Sequence, residues 1–226
     1  MTTPELQLRT LYVLDDAGRL TATREPGLHR PPAFALIRGT GSCAWGVRDD
    51  VAPEVAAELD HIASTEPPND DLNNPPAHAE RYLSLLGGRV ESGPAFSFPE
   101  MLSEPTDVVE IDHPSQLGPG FADLAEEVDG RAPVMAVLDE GVAVSICHCA
   151  RRSGEAAEAG LVTLRPHRGR GFGPLVTAAW ALAIRASGRI PLYSTSWENT
   201  ASRAVARKLG LIAYASDWNC GPRSSP

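Results

Sequence analysis

Short apolar runs separated by glycine and proline turns mark the first part of the chain, up to about residue 95. Residues 10–14 and 19–23 flank Asp15-Asp16-Ala17-Gly18, which predicts a hairpin. Apolar residues recur at helical spacing over 51–64, and 77–86 is a second expected helix. We therefore predict a small α/β module over residues 1–95, and its sequence indicates no chemistry.

From residue 96 the pattern changes to a series of strands interrupted by long helices. The expected strands are 108–111, 134–138, 142–149, 159–164, 190–196 and 211–215. The expected helices are 121–128, 174–187 and 200–209. The helix at 174–187 is apolar nearly all round, which is typical of a helix buried on several sides. The second predicted domain therefore spans residues 96–226 and has a well-formed core.

Composition narrows the function classes. The net charge of −9 disfavours a nucleic-acid partner, since a phosphate backbone would be repelled. No apolar run is long enough for a membrane span, and the first residues lack the features of a secretion signal. Four cysteines in 226 residues are too few for a disulfide framework. We expect a cytoplasmic protein that acts on neither nucleic acid nor membrane.

The most informative segment is a predicted strand, a glycine-rich loop and a helix start, over residues 161–173. Backbone N–H groups in such a loop, together with the positive end of the helix dipole, form a site for a phosphate anion. A dinucleotide fingerprint would need a third glycine where Pro174 stands, so an NAD-type oxidoreductase is disfavoured. The P-loop ending Gly-Lys-Ser/Thr is absent from this loop as well.

The motif Arg168-Gly169-Arg170-Gly171-Phe172-Gly173 resembles the R/Q-x-x-G-x-G/A signature of the GNAT superfamily of N-acetyltransferases. Asn199-Thr200-Ala201-Ser202 followed by Lys208-Leu209-Gly210-Leu211 is similar to the superfamily's later Asn-x-x-Ser/Ala and Lys-Leu-Gly-Phe motifs. The order of the predicted elements agrees too. The resemblance is confined to the C-terminal half. It implies an α/β (α+β) fold with a mixed, mostly antiparallel GNAT-like sheet and flanking helices, preceded by the smaller α/β module.

By this resemblance, acetyl-CoA or another acyl-CoA is the co-substrate, and it lies along the fourth strand of the superfamily's sheet and on the loop that follows. No metal is implied. The residues expected to bind it are Leu161, Val162, Thr163, Leu164, Arg168, Gly169, Arg170, Gly171, Phe172, Gly173, Asn199 and Ser202. The implied reaction is transfer of an acetyl or acyl group to a primary amine, on a small molecule or a protein.

Glu158 falls near the position where some members carry a general-base glutamate, and a partly buried carboxylate can take a proton from an ammonium. His148 is a second candidate for the acceptor cleft. Many members carry an acid tyrosine where this chain has Ala206, so Tyr214, Tyr193 or water is expected to serve instead. Alternation along a strand directs Cys147 and Cys149 away from His148, which disfavours a metal centre.

Two functions remain open at this point. The first is an acetyl-CoA-dependent N-acetyltransferase in which the amine attacks the thioester directly. The second is a catalytically weak acyl-CoA-binding sensor or interaction protein with a GNAT-like fold, which the missing tyrosine would suit. The sequence does not identify the acceptor, the acyl-chain preference or the oligomeric state.

Overall fold

A computed structural model describes residues 2–67 and 71–221 and gives the following elements. The helices are α1 (Pro4–Leu11), α2 (Pro53–Ser64), α3 (Ala79–Leu86), α4 (Ala122–Ala125), α5 (Phe172–Ala186) and α6 (Thr200–Lys208). The strands are β1 (Tyr12–Leu14), β2 (Leu20–Thr23), β3 (Phe34–Gly39), β4 (Cys43–Val47), β5 (Arg89–Ser97), β6 (Val109–Glu110), β7 (Met135–Asp139), β8 (Val142–Arg152), β9 (Ala156–Thr163), β10 (Ile190–Ser194) and β11 (Ile212–Gly221). Mostly antiparallel strands with flanking helices confirm the predicted α/β class.

The chain divides into two compact units that are not continuous in sequence. Unit 1 comprises the described residues of 1–96, 194–200 and 213–226, and unit 2 comprises 97–193 and 201–212. Most of β11 therefore lies in unit 1, next to strands from the beginning of the chain. The division into domains at 1–95 and 96–226 stays a prediction.

Unit 1 is built around β3, whose residues are all buried. β3 pairs antiparallel with β4 on one side and with β11 on the other. Phe34 and Leu36 face a core with α2 and α3, in which the Phe34 and Tyr82 rings stack at 4.8 Å between centroids. Ala35 and Ile37 face a second core with α1. Because both faces of β3 are covered by these cores, its sequence begins with a continuous apolar run and does not alternate between apolar and polar residues.

Two elements of unit 1 were missed in the sequence. The expected strand 10–14 is α1 followed by the shorter β1, because Thr3 caps the helix by accepting a hydrogen bond from the Leu6 N–H at 3.1 Å. β5 was not predicted, since Gly93 and Pro94 interrupt its pattern. β11 extends beyond the expected 211–215 because β3 pairs with it as far as Cys220.

Unit 2 has the strand order β10-β9-β8-β7-β6. The pairs are antiparallel except β9 with β10, which run parallel. α5 is buried through residues such as Trp180 and Ile184. A second core contains Leu117, Phe121 and Ile146.

Two helices of unit 2 differ from the prediction. The expected helix 121–128 is a 3-10 turn at Pro119–Phe121 followed by the single turn α4, in a segment punctuated by Gly118 and Gly120. α5 begins at Phe172 rather than at Pro174, since Gly171 takes the left-handed conformation just before it. In the described part of the chain, no helix has the length and apolar character needed to cross a membrane.

Gly93 marks the closest backbone approach in unit 1. A Cβ added there would lie 1.7 Å from the Thr195 carbonyl oxygen, and that atom belongs to backbone that cannot simply rotate away. We expect Gly93→Ala to lower the free energy of unfolding by about 1–3 kcal/mol, the usual range of overpacking. Chemical denaturation measures this loss. Gly154→Ala is the control, because no atom lies within 4 Å of its Cβ position. Equal midpoints for the two variants would contradict the expectation.

Candidate functional site

β9 and β10 pair only along the first part of β9 and then separate. Their parallel pairing covers Ala156 to Glu158 and ends where Glu158 meets Leu192. β9 then continues to Thr163, still paired on its other side with β8. Among the described residues, no strand pairs with the β10 side of β9 from residue 159 to 163. Backbone N–H and C=O groups on an edge of this kind can bind an extended ligand as an added strand.

Three of the four predicted strand contacts lie on this stretch. Leu161, Val162 and Thr163 belong to β9, with Val162 exposed. Leu164 lies just beyond the strand, where its N–H donates to the Val144 carbonyl at 2.9 Å. Its side chain packs against Gly120, where an added Cβ would come within 2.9 Å of both Leu164 methyl groups. Leu164 therefore anchors the end of β9 to the segment before α4.

The glycine loop leads from the end of β9 into α5. Gly169 and Gly171 have positive φ angles of 79° and 87°, which other residues adopt at a cost. No side chain caps the helix at Gly171, so the Phe172 and Gly173 amides at its first turn are available to an anion. Pro174 contributes no N–H group. A helix does follow the glycine loop as predicted, although it begins two residues earlier than expected.

The two predicted arginines of this loop differ in their surroundings. Arg168 folds back so that its Nε donates to the Thr163 carbonyl oxygen at 3.1 Å. This contact ties the loop to the last residue of β9. Arg170 is exposed beside the two glycines. Both guanidinium groups add positive charge to a loop that already presents amide donors.

Glu158 lies at the fork, as the last residue of β9 that pairs with β10. Only 3% of it is exposed. Its Oε2 lies 3.7 Å from Nη1 of Arg151, the residue opposite it on β8. Glu158 is thus a buried carboxylate beside a cationic side chain, at the point where the two strands separate.

His148 lies on the same face of unit 2 as Glu158. It pairs across β8 and β9 with Gly160, and a Cβ at that glycine would lie 2.4 Å from the imidazole Cε1. Only glycine lets the ring lie over the β9 backbone. His148 is 7% exposed, and its Nδ1 has no hydrogen-bond partner among the described residues. Burial lowers the pKa of His148 to about 4, so the ring is neutral near pH 7.

His148 also lines a pocket of about 400 Å³ on this face. Ile146 and Val162 line it beside the imidazole, and residues 119–124, Glu127 and Arg131 supply the rest of its lining. Sequence reasoning missed the wall residues, because nothing in a short, irregular segment marks which side chains turn inward. The one available signal was Gly160, whose position opposite a histidine follows only from the strand register.

Cys147 and Cys149 point to the opposite face, towards α5. Burial raises the pKa of both thiols, which keeps them protonated and unreactive. The Cys149 thiol donates to the Ala132 carbonyl oxygen. The alternation expected for these residues is confirmed, and within residues 2–67 and 71–221 no three His, Cys, Asp or Glu side chains cluster as metal ligands would.

The remaining predicted residues are distributed over both units. In unit 2 the Ser202 hydroxyl lies 2.6 Å from the Tyr193 hydroxyl. Burial raises the pKa of Tyr193 to about 12, so this phenol is a protonated donor. In unit 1 the Tyr214 hydroxyl donates to Gln7 Oε1 at 2.5 Å, and the exposed Asn199 follows β10 in a turn. The roles expected for these side chains stay predictions.

The family model described as "FR47-like protein" matches residues 143–219, from β8 to β11. This span contains the fork, the glycine loop and α6. The predicted GNAT resemblance of the C-terminal half is confirmed. The match covers about a third of the chain. No curated protein matches the chain.

Several solved structures are similar to the chain. A GCN5-related N-acetyltransferase-like protein from Streptococcus suis is 20% identical, with 83% of this chain and 84% of that chain covered and a TM-score of 0.47. A GNAT-family acetyltransferase from Colwellia psychrerythraea is 13% identical, with 78% and 76% covered and a TM-score of 0.48. A GCN5-related N-acetyltransferase from Sphaerobacter thermophilus is 13% identical, with 82% and 75% covered and a TM-score of 0.46. Likeness at this level carries no information about activity.

The lowered pKa of His148 has a consequence for stability. The unfolded chain binds a proton at this site below about pH 6.5, whereas the folded protein binds it only near pH 4. The contribution is therefore fully present above pH 6.5 and is lost as the pH falls towards 4, by on the order of 3 kcal/mol. His148→Phe removes the titration. We expect its unfolding free energy, measured by urea denaturation, to fall less steeply than that of wild type across this window. If the unfolding free energies of wild type and His148→Phe changed in parallel with pH, the pKa of His148 would not be lowered by folding.

Proposed function

We propose that the protein is an acyl-CoA-dependent N-acyltransferase that moves an acetyl or other acyl group to a primary amine. The observation that carries this proposal is the fork between β9 and β10, whose open edge runs directly into a glycine-rich loop and the N-terminus of α5. An extended ligand would match these features if it had a peptide-like arm for the open strand edge and a pyrophosphate for the loop and the helix N-terminus. Acyl-CoA has this construction.

The residues present suit each part of acyl-CoA. The pantetheine amides would pair with the open backbone of residues 161–163. The pyrophosphate would accept hydrogen bonds from the amides of residues 169–173, where positive φ angles at Gly169 and Gly171 bring the backbone round the anion. Arg168 and Arg170 would balance its charge, and Ser202 and Asn199 would make further contacts, as the GNAT resemblance implies.

The position of Glu158 suits it to the proton step. The acceptor arrives as an ammonium and must lose one proton before its lone pair can attack. Glu158 would take this proton directly or through a water molecule. The amine nitrogen then forms a bond to the thioester carbonyl carbon, and the carbon–sulfur bond breaks. The nitrogen gives up its second proton as the amide forms, and the departing thiolate takes up one proton, so the products are the amide, the CoA thiol and the proton accepted by Glu158.

A donor is needed for the departing thiolate. The position that usually carries the tyrosine holds the buried Ala206. Tyr193 lies in the same unit as the fork, and because burial raises its pKa to about 12, its phenol is protonated at neutral pH. Tyr214, the first candidate from the sequence, is hydrogen-bonded to Gln7 in unit 1. These contacts favour Tyr193 over Tyr214 as the donor.

The second candidate function is an acyl-CoA-binding sensor without turnover. Two observations favour it: Ala206 stands where the usual acid would be, and the expected base, Glu158, already lies 3.7 Å from the Arg151 guanidinium. Turnover separates the two functions. Release of CoA thiol from acetyl-CoA with a panel of small amines and lysine peptides supports the transferase, whereas tight binding without any release supports the sensor.

CoA is expected to raise the melting temperature of the protein, since a ligand that binds only the folded state stabilises it. Gly171→Asp would put a carboxylate where the pyrophosphate is expected, and we expect CoA affinity to fall by about 10² or more. Gly188→Asp is the matched control. Its φ of 80° gives the same backbone strain, and its surroundings are equally open, but it lies at the other end of α5.

Thermal shift and calorimetric titration with CoA measure both effects. The expected pattern is a stabilised wild type, a stabilised Gly188→Asp protein and an unresponsive Gly171→Asp protein. The absence of any shift in wild type at millimolar CoA would contradict the proposed function. Equal affinity of Gly171→Asp and Gly188→Asp for CoA would show that the pyrophosphate does not bind at the glycine loop.

Glu158→Gln preserves shape and removes basicity at the fork. We expect kcat/KM to fall by a factor on the order of 10² to 10⁴ at neutral pH, with CoA affinity little changed. Glu155→Gln, at an exposed position in the turn before β9, is the control for the chemical change itself. Full turnover in Glu158→Gln with an unchanged pH profile would exclude Glu158 as the base.

A further inference from the structure

We propose that the pocket beside His148 binds the acyl acceptor, and that this acceptor is a small primary amine carried on a compact apolar body. This inference rests on the proposed function and deepens it by naming the class of acceptor and the residue that selects it. The pocket is lined by residues 119–124, Glu127, Arg131, Ile146, His148 and Val162.

The position of the pocket suits an acceptor. Alternation along β9 puts Glu158, Gly160 and Val162 on one face of the strand. Val162 lines the pocket and Glu158 stands at the fork, two residues beyond Gly160. With a rise of about 3.3 Å per residue, the Gly160 and Glu158 Cα atoms are about 7 Å apart along the strand. An amine seated beside His148 would therefore lie about two strand residues away from the expected base.

The apolar part of the lining defines the body of the ligand. Phe121, Leu124, Ile146 and Val162 contribute aromatic and aliphatic surface, and Phe121 is itself buried in the core of unit 2. A cavity of about 400 Å³ lies within the size range of small-molecule sites. A compact alkyl or aryl group fills such a space and gains free energy from leaving water.

The charges of the lining select a cation. Asp123 and Glu127 are acidic, and the single cation, Arg131, is held by Glu127 through contacts of 2.7 Å from Nη2 and 2.9 Å from Nε to the same oxygen. With a neutral imidazole, the formal charge of the lining is negative. An ammonium is favoured here, and a carboxylate meets no unengaged cation in the lining.

His148 is the residue that we expect to select an ammonium over other ligand groups. A protonated imidazole would repel an ammonium, whereas the neutral ring can accept a hydrogen bond from it. Its low pKa follows from burial, with Arg131 acting in the same direction and Glu127 opposing it. Arg151 and Glu158 are the other charged groups on this face of β8 and β9, and they pair with each other. Gly160 is the positioning residue, since a side chain there would displace the ring.

The test uses three probes of one shape on the full-length protein: 2-phenylethylamine, 2-phenylethanol and 3-phenylpropionate. Their binding is measured by calorimetry or NMR, with and without CoA. We expect the amine to bind at least about tenfold more tightly than the alcohol or the acid, the range of a hydrogen bond to a charged group. The His148 ring resonances should shift on addition of the amine.

His148→Phe keeps a flat ring without nitrogens, and we expect about a tenfold loss of amine affinity. His61→Phe makes the same change at an exposed site on α2 and should bind the amine normally. Gly160→Ala should also weaken amine binding, whereas Gly154→Ala should not. If His148→Phe fails to fold, Gly160→Ala and the wild-type resonances still decide the question.

The outcomes separate this inference from the proposed function. A CoA-induced rise in melting temperature with no selective binding of the amine would overturn the pocket and leave the transferase proposal intact. Selective amine binding that depends on His148, in a protein without any response to CoA, would support the pocket and contradict the transferase. Acylation of a lysine peptide in preference to all small amines, or equal binding of the amine and the acid, would overturn the proposed acceptor class.

Discussion

The candidate site depends on the unequal pairing of the two edges of β9. Its β8 edge is hydrogen-bonded as far as Thr163, whereas β10 accompanies it only to Glu158. Unpaired backbone groups need partners, and here they lie where the strand runs into a helix N-terminus. The open edge and the glycine loop therefore form one continuous surface of hydrogen-bonding groups. Few special side chains are needed, which explains why so much of the site consists of backbone and glycine.

The two faces of β8 and β9 divide the remaining roles. One face carries Cys147 and Cys149 and packs under α5, where burial keeps the thiols inert. The other carries Glu158 and His148 and borders the pocket. The buried face beneath α5 fixes the register of the strands, and this register places His148 over Gly160. A shift of one residue would exchange the thiols for the polar groups.

In unit 1, polar side chains hold the described residues that lie between α2 and α3. Glu66 accepts hydrogen bonds from the Ala77 N–H at 2.5 Å and from the Tyr82 hydroxyl at 3.0 Å, and this hydroxyl is raised in pKa by burial. Arg38 reaches the Pro75 carbonyl and the Ser216 hydroxyl from the buried β3. Acidic and basic side chains thereby join a connector to strands from both ends of the chain.

The sequence by itself determined the features that depend on neighbours in the chain. The loop and the helix could be predicted from Gly169, Gly171 and the apolar sequence of α5, because left-handed turns and helical periodicity are local properties. The alternation of Cys147, His148 and Cys149 was equally readable. Tertiary structure decided the rest. The last two residues of α1 were assigned to a strand because a short apolar run fits both periods, and β11 was expected to be shorter because its length is set by pairing with β3, far away in sequence. The end of β9–β10 pairing at Glu158, the register that sets His148 over Gly160, and the walls of the pocket are long-range outcomes, so no local pattern could specify them.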